Sequence, residues 1–335
     1  MRAMPTHRPS ITLLSTLLLT AAGCGGAGNT STPADDQATT EETAPREPEP
    51  VAIVDGQLSV GDMTFDIRSA GPGDGELVLM LHGFPQTNHE WRHQQLALAE
   101  AGYRVVTPNQ RGYSAGARPE GIEHYTLDLL VADIVGMVDT LGVERFHLVG
   151  HDWGAIVAWG VAAAVPDRLM SVTPISVPHL DAFARVLADP ESCQPASSAY
   201  FDLFVQPDSE DGFLAENAAG LRGIYAGIEA DAIEEFVRVL GSKPALGSAL
   251  NWYRANIEDR QPTAPALGSI SVPTMFVWSD GDTALCRDGA ELTGEYVDGP
   301  YRFEILEGIN HWIPDMAPDQ LNALLLDHIG QYSER

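Results

Sequence analysis

One stretch limits the fold of this 335-residue chain more than any other: Gly150-His151-Asp152-Trp153-Gly154. It follows the apolar run Arg145 to Val149 and precedes a small-residue helical pattern, Ala155 to Val165. Strand, glycine-flanked turn and helix in that order predict a tight, strained connection. A Cβ at either flanking position would strike the adjoining strand or helix. Such a turn lifts its central side chain out at the C-terminal edge of a sheet, the arrangement of a nucleophile elbow. The central residue here is Asp152. A carboxylate is already ionised at neutral pH and attacks carbon without a base, leaving an alkyl ester on the enzyme.

The rest of the chain supplies the sheet that an elbow needs. Val51 to Val60 and Met63 to Arg68, divided by Gly61-Asp62, read as a hairpin. Glu76 to Leu81, Arg104 to Pro108, Ser171 to Ile175, Thr274 to Trp278 and Arg302 to Leu306 read as strands. Glu90 to Ala101, Leu127 to Leu141 and Gln320 to Ile329 read as helices. Alternating strands and helices predict an α/β fold with a mostly parallel sheet covered by helices on both faces. Residues 178–262 carry helical periods without good strands, so they read as a helical lid inserted into a core formed by 51–177 and 263–335.

Three further places carry chemistry. His82-Gly83-Phe84-Pro85 closes an early strand, where a loop can supply an oxyanion donor; the expected donors are the Phe84 and Trp153 backbone N–H groups. Pro85 is expected to fix that loop, with a cis bond as one option. Trp278-Ser279-Asp280-Gly281-Asp282 ends a later strand, where a carboxylate can orient an imidazole; Asp282 is preferred and Asp280 is read as a turn residue. Gly308-Ile309-Asn310-His311-Trp312 follows the last strand and makes His311 the expected base, in the order nucleophile, acid, histidine. His82 is expected to be structural, His147 to be filler within a strand, and His179 and His328 to be solvated.

These motifs carry a resemblance. Together with Trp91-Arg92, Arg111-Gly112-Tyr113 and Ser176-Val177-Pro178-His179, they make 51–335 similar to the α/β-hydrolase superfamily, and within it to the epoxide hydrolases. The resemblance implies hydrolysis of a small apolar epoxide to a vicinal diol through an ester on Asp152, without a metal or organic cofactor. It places a proton-donating lid tyrosine at Tyr253, within Leu250-Asn251-Trp252-Tyr253-Arg254. A second donor is implied at Tyr200 or Phe201, because Ser198 to Pro207 departs from the family pattern and leaves the register open. The competing readings are a haloalkane dehalogenase using the same ester, with the Trp153 side chain on the halide, and a ligand-binding lipoprotein without activity. The dehalogenase branch usually has Asn where Phe84 stands.

The amino terminus and the charge bear on location and partners. Arg2 and Arg8, the apolar run Ile11 to Ala22 and then Ala21-Ala22-Gly23-Cys24 resemble a bacterial lipoprotein signal over 1–23, with Cys24 lipidated. Residues 24–50, without aromatics, read as a disordered tether. The expected location is therefore an exported, membrane-anchored lipoprotein, in contact with the membrane only through Cys24. Export favours oxidation of the two remaining cysteines, so Cys193 and Cys286 are either a disulfide or two buried thiols. A formal charge of −28, with Lys243 the only lysine, opposes nucleic-acid binding. No Cys-x-x-Cys pair suggests a zinc site.

Overall fold

A computed structural model describes residues 51–334. The expected signal segment, Cys24 and the expected tether fall outside them.

The sheet is assembled from strands that differ according to where they lie. The edge hairpin pairs β1 (Val54–Val60) with β2 (Met63–Ala70), antiparallel from Val54–Ser69 to Val60–Met63. Most of β1 faces solvent, as an edge strand can. The central strands β3 (Leu77–Leu81), β4 (Arg104–Pro108), β5 (Phe146–His151), β6 (Leu169–Ile175) and, further on, β9 (Thr274–Ser279) are mostly apolar and, Arg104 apart, buried along their whole length, because both their faces are covered. A two-residue pair, β7 (Ile257–Glu258) and β8 (Gln261–Pro262), stands apart from them, and β10 (Tyr301–Leu306) closes the far edge. The eight-stranded order is β1-β2-β4-β3-β5-β6-β9-β10, parallel throughout except for β1–β2 and β2–β4.

Helices cover both faces. On one side α1 (Arg92–Glu100) buries Leu98 and Ala99 with Leu321, Leu325 and Ile329 of the C-terminal helix 318–331. On the other, α2 (Leu127–Thr140) and α3 (Trp153–Ala164) pack Leu130, Ile134, Val157 and Val161 against the sheet. Between β6 and β9 the chain runs through α4 (Leu180–Ala188), the short turns α5 (Gln194–Ser197) and α6 (Phe201–Phe204), then α7 (Glu210–Ile224), α8 (Ala230–Leu240) and α9 (Lys243–Asn256). In α8, Ala232, Phe236 and Leu240 recur every fourth residue and form its buried stripe. The remaining helices are α10 (Arg287–Leu292), α11 (Ile313–Met316) and α12 (Pro318–Gln331).

Two expectations are corrected. His179 and His328 are buried, not solvated. His179 caps α4, its Nδ1 accepting the Asp181 N–H at 3.2 Å while its ring stacks on Tyr296. His328 falls on the buried face of α12 with Leu321, Leu325 and Ile329 and packs edge-on to Tyr332. Burial pushes both imidazoles down to about 4, so neither is charged near neutrality. His147 is likewise interior, 2.8 Å from Ser171 Oγ on the neighbouring strand.

Candidate active site

The elbow is built as its glycines require. Asp152 adopts φ 51°, ψ −120°, a conformation that costs a side-chain-bearing residue about 1–3 kcal/mol. A Cβ on Gly150 would lie 2.1 Å from the Gly154 carbonyl oxygen, and one on Gly154 would lie 2.0 Å from that of Leu81. Only glycine lets α3 start so close to β3 and β5.

Asp152 is almost fully buried, and its two oxygens have different surroundings. The Phe84 N–H donates to Oδ1 at 2.7 Å. Oδ2 lies 3.5 Å from His311 Nε2. The 82–85 loop contains a cis Phe84-Pro85 bond, and the Tyr225 hydroxyl donates to the Pro85 carbonyl at 2.6 Å. Trp153 opens α3, so its N–H is among the amides that a helix leaves without an internal partner.

The opposite side of the imidazole is occupied by the acid. His311 Nδ1 is 2.8 Å from Asp282 Oδ2, and Asp282 Oδ1 accepts the Ala284 and Leu285 N–H groups at 2.8 and 3.1 Å. Asp280 instead accepts the Gly308 N–H at 2.6 Å in the adjoining turn and does not meet the imidazole. The His311 carbonyl receives hydrogen bonds from His151 Nε2 at 2.9 Å and from the Ser176 hydroxyl at 3.3 Å. His82 Nε2 accepts the Gln110 N–H at 3.1 Å, which commits that ring to the scaffold.

Electrostatics separates the two histidines of this cluster. Burial alone would lower the His311 pKa, but the Asp282 carboxylate and then Asp152 hold its proton and raise it to about 10. Burial also opposes ionisation of Asp152, yet the hydrogen bond and charge of His311 win, and its carboxyl lies below the usual range. The resting site is thus an imidazolium held between two carboxylates. His151, buried and repelled by His311, is pushed down to about 4 and is neutral.

Tyr253 and Tyr200 come from α9 and from the turn before α6, and both line the cavities that meet at Asp152. One cavity is apolar, walled by Leu127, Ile156, Phe183 and Leu285. The other, of about 320 Å³, contains His311, Phe84 and Trp312. Burial first, and then the Asp152 charge, push both phenols well above their ordinary range, so both remain protonated donors. The Trp153 indole stands edge-on to the Tyr253 ring, with ring centroids 5.0 Å apart. Phe201 also lines the apolar cavity, but a phenyl ring carries no proton to donate.

Several site residues escape a sequence reading. Glu90 is fully buried, receives the Gly83 N–H at 3.4 Å and faces His151 Nδ1 at 3.6 Å. Tyr225 and Gln194 reach the site from the helical segment. They lie in short turns or at a helix end, where the sequence does not identify a partner far away in the chain. Arg111, singled out only as part of a motif, makes a two-pronged buried pair with Asp133 at 2.6 Å for each bond, and its carbonyl accepts the Trp252 indole N–H at 2.9 Å. Cys193 and Cys286 are joined in a disulfide, with Cα atoms 6.2 Å apart. Among the described residues no group of three or more His, Cys, Asp or Glu is placed to hold a metal ion.

Comparison with known proteins gives a consistent picture. The family model described as the alpha/beta hydrolase fold matches residues 76–315. Epoxide hydrolase A of Mycobacterium tuberculosis is 31% identical, the match covering 78% of this chain and 93% of that protein. The AB hydrolase superfamily protein YfhM of Bacillus subtilis is 32% identical, covering 81% and 96%. Among solved structures, an epoxide hydrolase from hot-environment metagenomes superposes with a TM-score of 0.76 at 28% identity, covering 83% of this chain and 99% of that one. The Bacillus megaterium epoxide hydrolase, solved with an inhibitor, gives 0.75 at 26% identity, covering 82% and 100%.

Proposed function

Because the chain belongs to the α/β-hydrolase fold family, and its buried elbow residue is an aspartate facing two tyrosines, we propose that it hydrolyses a small apolar epoxide to a vicinal diol. The observation that carries this reading is the division of labour at Asp152. Oδ1 is already held by the Phe84 N–H, while Oδ2 is the oxygen left to attack. Oδ2 forms a bond to one epoxide carbon, that carbon's bond to the ring oxygen breaks, and the oxygen takes a proton from Tyr253 or Tyr200. Forming the ester removes the Asp152 charge, one of the two charges that hold the His311 proton. His311 then loses its proton more easily; passing it through solvent to the tyrosinate left by ring opening restores the phenol and makes the imidazole a neutral base. Water adds to Cγ as His311 Nε2 takes its proton, and the negative charge collects on Oδ1 beside the Phe84 N–H. Oδ2 leaves with the product, taking up the second proton of the added water to complete the diol, and the carboxylate left behind has gained the water's oxygen.

Halide release from a haloalkane is the reading to separate from this one. It would use the Trp153 indole N–H to hold the halide and has no use for the two phenols, Tyr253 and Tyr200, that line the cavities at Asp152. Incubation with styrene oxide and, separately, with 1-bromobutane decides between them. Diol without bromide supports epoxide hydrolysis, bromide supports dehalogenation, and neither product favours a ligand-binding role.

We further propose that the protein is exported and anchored through Cys24, on the strength of Arg2, Arg8, the apolar run Ile11 to Ala22 and the small residues before the cysteine. In this reading 24–50 is a tether and 178–262 a lid over the core. Metabolic labelling with a fatty-acid analogue should mark the wild-type protein but not Cys24→Ala; label in both would remove the assignment.

A further inference from the structure

The loop that carries the acid is shaped almost wholly by side chains. Between Asp282 and Cys286 the Ala284 and Leu285 N–H groups point to Asp282 Oδ1, and the Leu285 carbonyl accepts the Trp278 indole N–H at 3.0 Å. Two more backbone groups of this loop, the Ala284 carbonyl and the Cys286 N–H, lie one on each side of Leu285. Both meet the same side chain. Gln194 Nε2 donates to the Ala284 carbonyl at 2.8 Å, and its Oε1 accepts the Cys286 N–H at 2.8 Å. The other Nε2 proton goes to Ser198 Oγ at 2.8 Å. Gln194 is fully buried, so these bonds face no competition from water. The pattern also fixes which way the amide points. Reversed, it would set oxygen against the Ala284 carbonyl and N–H against the Cys286 N–H.

We propose that Gln194 is a positioning residue for the Asp282–His311 pair: an amide from the helical insertion that holds the acid loop in the shape that aims Asp282 Oδ2 at the imidazole. This rests on the hydrolytic reading above and goes beyond it. Gln194 touches neither the nucleophile nor the imidazole. It acts through the backbone of Ala284 and Cys286, and the Ala284 and Leu285 N–H groups of that same loop are the donors that orient Asp282. Ser198, its third partner, lies two residues before Tyr200. One short segment thus serves both halves of the reaction: Tyr200 for ring opening, and Gln194 for hydrolysis of the ester. The Cys193–Cys286 disulfide lies beside this clamp and ties the same two segments covalently. The disulfide holds the segments together, whereas the amide sets the direction of the loop.

The proposal separates two rates. Ring opening uses Asp152 and the tyrosines; ester hydrolysis needs an aligned His311. In stopped-flow single turnovers of the whole chain with styrene oxide, Gln194→Met should form the ester at close to the wild-type rate. It should hydrolyse the ester slower by on the order of 100-fold, as expected for a base displaced by roughly an ångström, so that alkyl-enzyme accumulates. Gln194→Glu, which sets a carboxylate against the Ala284 carbonyl, should show the same split and serves if the Met variant does not fold. Cys193→Ser with Cys286→Ser should lower thermal stability and leave the ratio of the two rates in place. A readout independent of any substrate is the low-field proton NMR signal of His311 Nδ1–H against Asp282, identified by its loss in His311→Gln. It should move or broaden in both Gln194 variants but not in the double serine variant. Equal slowing of both half-reactions, or an unmoved low-field proton, would reduce Gln194 to a packing residue. A wild-type protein that forms no ester would count against the epoxide reading, and the NMR signal would still decide the role of Gln194.

Discussion

Gly83→Ala is a single-methyl test of the oxyanion loop. A Cβ built at Gly83 falls 2.3 Å from Asp152 Cβ and 2.7 Å from Asp152 Oδ1. Non-bonded carbons settle at about 3.5–4.0 Å, so the loop or the elbow must yield by roughly an ångström. Neither side is soft. The elbow is wedged by Gly150 and Gly154, and the loop is pinned by Tyr225 on the Pro85 carbonyl and by Glu90 on the Gly83 N–H. The Phe84 N–H, 2.7 Å from Oδ1 and one residue along, is the contact that gives way. Losing one oxyanion donor costs about 10²–10³ in rate, or ~3–4 kcal/mol of barrier. Gly83 does not occupy the left-handed region, so alanine adds no backbone strain and the effect is purely steric. Gly73, with open space around its Cβ position, provides the matched control. In single turnovers, Gly83→Ala should hydrolyse its ester about 10²–10³-fold more slowly, while Gly73→Ala matches wild type. Wild-type ester hydrolysis in Gly83→Ala would refute the assignment of Phe84 N–H as an oxyanion donor.

Three further outcomes are expected. Tyr253→Phe should slow ring opening more than ester hydrolysis, since its proton is used only in the first step; pre-steady-state ester build-up measures this, and an unchanged opening rate returns Tyr253 to packing. A single turnover in ¹⁸O-labelled water with enzyme in excess should give a diol free of label, because its new oxygen comes from Asp152; labelled diol in the first turnover would mean direct attack by water. The His311 pKa is raised from 6.5 to about 10 on folding, so its ion pairs stabilise the protein fully below about pH 6.5, and that contribution is lost as pH rises through about 10. Thermal melts of wild type should therefore fall across that window more steeply than those of His311→Gln, and parallel curves would contradict the resting imidazolium.

The parts of the site that local chain geometry dictates are legible in the amino-acid sequence. Glycines flanking Asp152 can serve only a tight turn, and a carboxylate and a histidine at successive strand ends share one edge of a parallel sheet. Strand cores are legible for the same reason, because a strand buried on both faces admits little but apolar residues. What escapes depends on contacts distant in sequence. Gln194 meets Cys286 across 92 positions, and Tyr225 meets Pro85 across 140. His328 shows a different difficulty. Its spacing from Leu321 and Leu325 follows the helical period, yet a polar residue on an apolar stripe reads by its type as a surface one. The register at Tyr200 and Phe201 stays open in the sequence because 198–207 departs from the family pattern; in the structure both rings line the apolar cavity near Tyr253, and of the two only Tyr200 carries a hydroxyl.

The central claim is that Asp152 becomes covalently attached to the substrate, and trapping that state tests it most directly. His311→Gln removes the base and leaves the nucleophile, so incubation with styrene oxide followed by proteolysis and mass spectrometry should find the mass of one intact epoxide on the peptide containing Asp152. The same treatment of Asp152→Asn should give none. An adduct on another peptide, or no adduct in a His311→Gln protein that is folded and binds the epoxide, would contradict the account.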